Sequence, residues 1–205
     1  MKLYGFPPSP NTRKIQALAY HLDLPIEFEF VDISKGASRT PEFLKINPNG
    51  RTPALVDGDF ALWESNAIMQ YLASQRKTSL WPDEARARAD ISRWQFWQVA
   101  QWEEGCAGFL WENLVKKLLG LGETDMAVLK KAETAFHRDA AVLEAHLAKQ
   151  QYLACGTLTL ADFAVGSYLH FAVSAKLPWE GYPNIQAWYA RIEALPAWQR
   201  SKPQI

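Results

Sequence analysis

"NPNGRTPALVDGDFALWESNAI", residues 47–68, is the stretch on which the reading of this chain turns. Asn47-Pro48-Asn49-Gly50 is a dense run of turn residues. Residues 54–56 and 60–63 read as two short strands, and Asp57-Gly58 between them is a hairpin signal. The second strand then runs without a loop into Glu64-Ser65-Asn66, where a helix begins that reaches residue 75. An acid, a hydroxyl and an amide at a strand-to-helix junction need polar groups to meet.

Working upstream, residues 2–6 form a short strand candidate. Residues 11–22 read as a helix, with Ile15, Leu18, Ala19 and Leu22 at spacings of three and four. Ile26, Phe28 and Phe30 alternate with Glu27 and Glu29, the pattern of a half-buried strand. Residues 41–46 make a helical turn. The order over residues 1–76 is therefore β-α-β-α-β-β-α. Downstream, residues 76–83 (RKTSLWPD) read as a polar linker, and strand signals then almost vanish. Residues 84–119 predict one or two long helices. Residues 124–149 predict another, with Leu129, Phe136 and Leu143 on one stripe with Ala132, Ala140 and Leu147. Residues 159–175 are apolar on most faces, as a central helix is, and residues 184–195 are amphipathic up to Pro196. Thr159-Leu160-Ala161-Asp162 spells a capping box, a structural device. The chain reads as an α/β domain over 1–76 followed by an all-α helical bundle over 84–205.

The 205 residues are 48% hydrophobic and 21% charged, as in soluble globular proteins. A formal net charge of zero argues against a nucleic-acid partner, since such domains carry a basic excess. The two cysteines, Cys106 and Cys155, suggest no disulfide framework, and a reducing cytoplasm is the simplest setting. The opening MKLYGFPPSP meets prolines before any apolar run, so no secretory leader is read there. The longest mostly apolar segment, 163–175, is too short to span a bilayer, and no membrane partner is expected. No metal is expected. Trp94, Trp97, Trp102 and Trp111 crowd together, which reads first as packing and second as an aromatic wall for an apolar ligand.

The βαβαββα unit followed by a helical domain resembles the cytosolic glutathione transferase family. "NPNGRTPAL" followed by "DGDFALWESNAI" resembles that family's glutathione-binding stretch, "LTLADF" its capping-box helix, and "SPNTRK" its active-site turn. The three stand in order and cover the whole chain. The resemblance implies a thioredoxin-like first domain and glutathione as co-substrate. It implies that Glu64 and Ser65 meet the ammonium and carboxylate of the γ-glutamyl end, a carboxylate suiting the N–H groups of a helix start. It implies a cis peptide before Pro53, with the Thr52 backbone aimed at the cysteinyl part. Arg39 and Arg51 are candidates for the glycyl carboxylate. Relatives often carry "GEHK" where this chain has Gly36-Ala37-Ser38-Arg39, so Ser38 replaces a histidine and Arg39 retains a charge.

Glutathione's thiol must become a thiolate to attack an electrophile. A hydroxyl donor at a helix N-terminus favours that anion in two ways. Ser9 matches the catalytic serine of serine-type bacterial relatives. Asn11 is a glutathione contact and a rival holder of the thiol, because "SPN" also resembles the "TPN" turn of relatives that reduce disulfides; Thr12 is a further rival. Arg13 is expected to hold the turn or pair with an acid. The electrophile is expected between the domains, against Phe6 and Pro7 from the first and Trp97, Gln101, Phe109 and Trp111 from the second. The expected function is conjugation of glutathione to small hydrophobic electrophiles, a detoxification chemistry, by a cytoplasmic homodimer. The alternatives are glutathione-dependent reduction of disulfides or peroxides, and a non-enzymatic interaction protein of the same fold.

Overall fold

The computed structural model describes residues 1–203. The described residues form two compact units: residues 1–81 together with 194–203, and Pro82–Glu193.

The first unit is built on a four-stranded sheet of order β2-β1-β3-β4: β1 (Lys2–Gly5), β2 (Glu27–Phe30), β3 (Ala54–Asp57) and β4 (Phe60–Trp63). β1 and β2 run parallel, which requires a crossover, and α1 (Pro10–His21) supplies it. The other two pairings are antiparallel, and β3 and β4 are joined by a two-residue turn in which Gly58 (φ 61) provides the positive φ. α1 and α3 (Ser65–Ser74) bury Ile15, Leu18, Ile68, Met69 and Leu72. The opposite face of the sheet carries Val31, Phe43 and Ala54, with Tyr4 packing edge-on to Phe43 of α2 (Pro41–Ile46).

Two expectations for this unit need correction. β2 is not a half-buried alternation: only Phe28 is shielded, and Phe30 is 54% exposed. The strand is a sheet edge, so it has one neighbour, and the Phe30 ring takes part of its cover by stacking on Phe6 with centroids 6.1 Å apart. Pro196 does not merely stop a helix. It opens a further one, α10 (Pro196–Arg200), whose N-terminal position suits proline's fixed φ and absent N–H. The composition places residues 194–203 with the helical half, whereas they pack with the first unit, against α1.

The second unit begins with a continuous helical rod. α4 (Ala85–Trp97), α5 (Glu103–Leu110) and α6 (Lys116–Leu119) are linked by two widened turns of the i→i+5 kind, Gln98–Trp102 and Trp111–Val115. α7 (Met126–Leu147) crosses α5 so closely that a Cβ on Gly105 would stand 2.7 Å from the Phe136 backbone, and one on Gly108 2.5 Å from the Ala132 Cβ. Only glycine permits that approach. Trp102 is fully buried and stacks on Trp97 at 5.7 Å, and its indole N–H donates to the Val165 carbonyl, so the tryptophan cluster is chiefly packing. Residues 159–175 do not form one helix. α8 (Leu160–Gly166) tightens into a 3₁₀ turn, Ser167–Phe171, where the Ser167 hydroxyl donates to the Ala164 carbonyl at 2.8 Å. A hydroxyl that competes for backbone carbonyls disfavours a regular α-helix there. α9 (Pro183–Glu193) completes the unit.

The capping box at the start of α8 is present: the Thr159 hydroxyl accepts from Ala161 N–H, and the Asp162 carboxylate accepts from Thr159 N–H at 2.8 Å. Asp162 also accepts from Leu153 N–H and the Trp188 indole. One carboxylate therefore ties the start of α8 to the preceding loop and to α9.

Candidate active site

Strand register brings the notable residues to one end of the sheet. Tyr4, Ala54 and Trp63 lie in one row across β1, β3 and β4. The next residues beyond that row are Gly5, Pro53 and Glu64, so the exit of β1, the Thr52-Pro53 bond and the entry to α3 share an edge. The peptide between Thr52 and Pro53 is cis, and Pro53 is buried.

Ser9 sits after β1 as the N-cap of α1, with an extended backbone (φ −72, ψ 128). Its carbonyl accepts from Thr12 N–H (3.1 Å) and Arg13 N–H (3.0 Å), which closes the first turn, but its hydroxyl makes no capping bond. Serine at an N-cap ordinarily spends its hydroxyl on the helix's unpaired N–H groups. Here the hydroxyl is left for another acceptor. The first turn of α1 contains no acidic residue, so the positive end of the helix dipole is not neutralised locally. Thr12 is fully buried against Gly5 of β1, which removes it as a holder of the thiol.

Glu64 precedes α3 with φ 72 and ψ 112, a conformation a non-glycine residue seldom adopts. Its side chain is exposed and caps nothing. Backbone strain of this kind costs on the order of 1–3 kcal/mol and persists where the surroundings impose it. The following Ser65 is buried, and its hydroxyl donates to Asn11 Oδ1 at 3.2 Å. A second bond runs alongside, from the ammonium of fully buried Lys14 to Asn66 Oδ1 at 2.8 Å. The first turns of α1 and the start of α3 are thus stitched together by two side-chain bonds. Sequence reasoning singled out the Asn66 amide but missed Lys14 as its partner. The available signal was a lysine one helical turn before Leu18, on the face that the apolar residues of α1 share.

Among the candidate cations, Arg39 is exposed and folds over Gly50 (φ 60), donating to the Asn49 carbonyl at 3.2 Å. A Cβ on residue 50 would stand 2.7 Å from the guanidinium, so Gly50 makes room for it. Arg51 is exposed, and its carbonyl accepts from the Asn47 amide at 2.6 Å. Asn47 also accepts from Asn49 N–H, so this buried side chain organises the turn that carries Arg51 and receives the guanidinium of Arg39. Ser38 is buried, and Lys35 pairs with Asp32. Arg13 does not fold back on its turn as expected: its guanidinium reaches α10 instead.

Of the residues expected to surround an electrophile, Phe6 and Pro7 are half-buried in the first unit. In the second unit Trp97 is half-buried, while Gln101 and Trp111 are exposed and lie in the two widened turns. Phe109 is buried and edge-on to Phe136, within that unit's core.

A four-stranded sheet of order β2-β1-β3-β4 with a cis-proline at the entry to β3, and helices α1 and α3 packed on it, defines a thioredoxin-like α/β domain. Residues 1–74 match the glutathione S-transferase N-terminal domain family and residues 83–191 the C-terminal domain family. The chain belongs to the glutathione S-transferase family. It is 38% identical to glutathione S-transferase 3 of Zea mays over 98% of this chain and 92% of that protein. It is 32% identical to glutathione S-transferase GstB of Escherichia coli over 95% and 94% of the two chains. The crystal structure of the theta class glutathione S-transferase of Xanthomonas axonopodis pv. citri, with glutathione bound, superimposes with a TM-score of 0.90 at 32% identity, covering 100% of this chain and 97% of that one.

Proposed function

We propose that the protein conjugates glutathione to small hydrophobic electrophiles, with Ser9 donating a hydrogen bond to the thiolate. The observation that carries this is the Ser9 hydroxyl, left out of capping at the unneutralised N-terminus of α1. An ordinary thiol has a pKa near ~8.5, so at neutral pH it is mostly protonated. A hydroxyl donor and a helix N-terminus each favour the anion, and the anion is the nucleophile. Glu64 takes the ammonium of the γ-glutamyl group. Ser65 and the N–H groups of α3 take its carboxylate, the Thr52 backbone meets the cysteinyl part, and Arg39 and Arg51 face the glycyl carboxylate. Glutathione is a co-substrate and leaves as part of the product.

Asn11 belongs to this site as the partner of Ser65. Its Oδ1 accepts the Ser65 hydroxyl, which leaves the amide N–H groups as the donors that the alternative chemistry, glutathione-dependent disulfide reduction, would turn on the thiol. The deciding experiment measures turnover of a halogenated nitroaromatic and of a glutathione mixed disulfide by the same preparation. Conjugation is expected to dominate. Turnover of the disulfide alone overturns the reading, and failure to bind immobilised glutathione removes both chemistries. The two cysteines are free, as a reducing compartment leaves them, and on that ground we assign the enzyme to the cytoplasm.

A further inference from the structure

The buried arginine at the first turn of α1 is the feature that the proposed chemistry has not used. Arg13 is 1% exposed. Its backbone N–H bonds to the Ser9 carbonyl at 3.0 Å, so it is part of the turn that sets where the Ser9 hydroxyl stands. Its side chain runs the other way. Nε donates to the Ser201 hydroxyl (3.2 Å) and Nη2 to the Trp198 carbonyl (3.1 Å), while the guanidinium lies 4.5 Å from the centroid of the buried Trp198 ring. Ser201 in turn donates to the same Trp198 carbonyl at 2.7 Å, closing a ring of three bonds. At the opposite end of α1, Arg200 lies 4.1 Å from the centroid of the Tyr20 ring. α10 therefore grips α1 at both ends.

This is an unusual way to end a short helix. The last carbonyls of α10 have no intrahelical partners, and one of them is satisfied by a charged donor from 185 residues upstream. A guanidinium taken out of water must keep its hydrogen bonds, and its planar fork fixes their directions. The charge consequently holds one position relative to the backbone of residues 9–13, and that position is set by α10.

We propose that α10 is a brace for the catalytic turn, and that Arg13 is a positioning residue for thiolate formation. It acts in two ways. It fixes the Ser9 carbonyl, and with it the direction of the Ser9 side chain. It also places a permanent positive charge beneath the helix N-terminus that faces the sulfur, in a setting where charges are poorly screened. Loosening the brace should cost thiolate before it costs glutathione affinity, because Glu64, Ser65 and the Thr52 backbone lie on other elements. The proposal rests on the bound thiol lying at this turn.

The test titrates the thiolate absorbance of bound glutathione against pH in the full-length chain, alongside the glutathione dissociation constant and the melting temperature. Arg13→Met removes the charge and the bonds. Arg13→Lys keeps the charge, and Ser201→Ala removes one bond and is the gentlest change. Arg13→Met should raise the thiol pKa by about one unit, roughly tenfold less thiolate at neutral pH, with the dissociation constant moved by less than about threefold. Arg13→Lys should recover part of the shift, and Ser201→Ala should give a smaller shift of the same sign. If Arg13→Met does not fold, the other two variants carry the test. Variants that melt lower but titrate like wild type overturn the proposal and leave α10 a stabilising element only. Ser9→Ala in the same series separates this from the role of Ser9: a Ser9→Ala titration like wild type with a shifted Ser201→Ala rejects the hydroxyl and keeps the brace, and the opposite pair of results rejects the brace.

Discussion

Two effects meet at Ser9, and substitution can part them. Ser9→Ala deletes the hydroxyl and keeps the helix N-terminus, so the thiolate should lose only the hydrogen bond, worth about 1.5–3 kcal/mol for a charged acceptor. That corresponds to roughly one to two pKa units. Titrating the bound thiol by its ultraviolet absorbance should show the shift, turnover at neutral pH should fall, and the rate profile should move to the alkaline side. Asn11→Ala should behave differently. It removes the acceptor of the Ser65 hydroxyl, so glutathione affinity should drop while the titration stays in place; a moved titration would make Asn11 the thiol's partner. Glu64 allows a third comparison. Glu64→Ala and Glu64→Gly both delete the carboxylate and should each weaken glutathione binding by about tenfold, the usual size for a lost charged hydrogen bond. Calorimetric affinities equal to wild type in both would remove Glu64 from the site. Because residue 64 holds φ 72, the glycine variant should melt no lower than the alanine one.

At the scale of the element, Asp162 holds three segments of the second unit together. It accepts from Thr159 N–H, the Thr159 hydroxyl, Leu153 N–H and the Trp188 indole, all within the interior. A lost helix cap alone costs about 1 kcal/mol. Asp162→Ala would also leave two further buried donors unpaired, so denaturant melts should show a loss of roughly 2–4 kcal/mol. Glu112 governs a different response. Lys116 and the Asp125 N–H hold its carboxyl below the usual carboxylate range. A folded-state pKa below the unfolded one means that the contribution is fully present above the ordinary carboxylate pKa. It is lost as pH falls through the lowered one. Acid unfolding should therefore be less steep in Glu112→Gln than in wild type, and identical acid limbs would show that the carboxyl is not linked to folding. Local patterns announced most of these elements. The capping box, the hairpin and the stripe of α7 each carry their cause within a few residues. The 3₁₀ turn after α8 was hidden because residues 163–175 are mostly apolar and hydrophobicity without periodicity does not distinguish helix types, while the hydroxyl of Ser167 does not announce from sequence which carbonyl it will take. The proposed site residues Ser9, Glu64 and Ser65 stood out as candidates because they interrupt apolar grammar at element junctions. Lys14 and Arg13 were not, since a cation's burial depends on partners far away in the chain.

For the molecule as a whole, we propose a homodimer, with α3 and the start of α4 supplying the interface. Phe60 (45% exposed) and Trp63 (39%) on the edge strand β4, which leads into α3, are large apolar side chains left to solvent in the single chain. Sedimentation at micromolar concentration should give twice the chain mass, and a value near one chain mass would count against the dimer. One consequence concerns time. The first unit is discontinuous: its sheet and α1 come from the start of the chain, and α10 from far later. Between Arg13 and Trp198 lie 185 positions, which a ribosome adding about 5–20 residues per second takes roughly ten to forty seconds to cover. During that interval α1 has been synthesised but its guanidinium has no housing, and the second unit is itself complete only at Glu193, just before α10 is made. Chains arrested before residue 198 should therefore leave the turn of residues 9–13 without its brace, and protease sensitivity there that vanishes once α10 is added would show it.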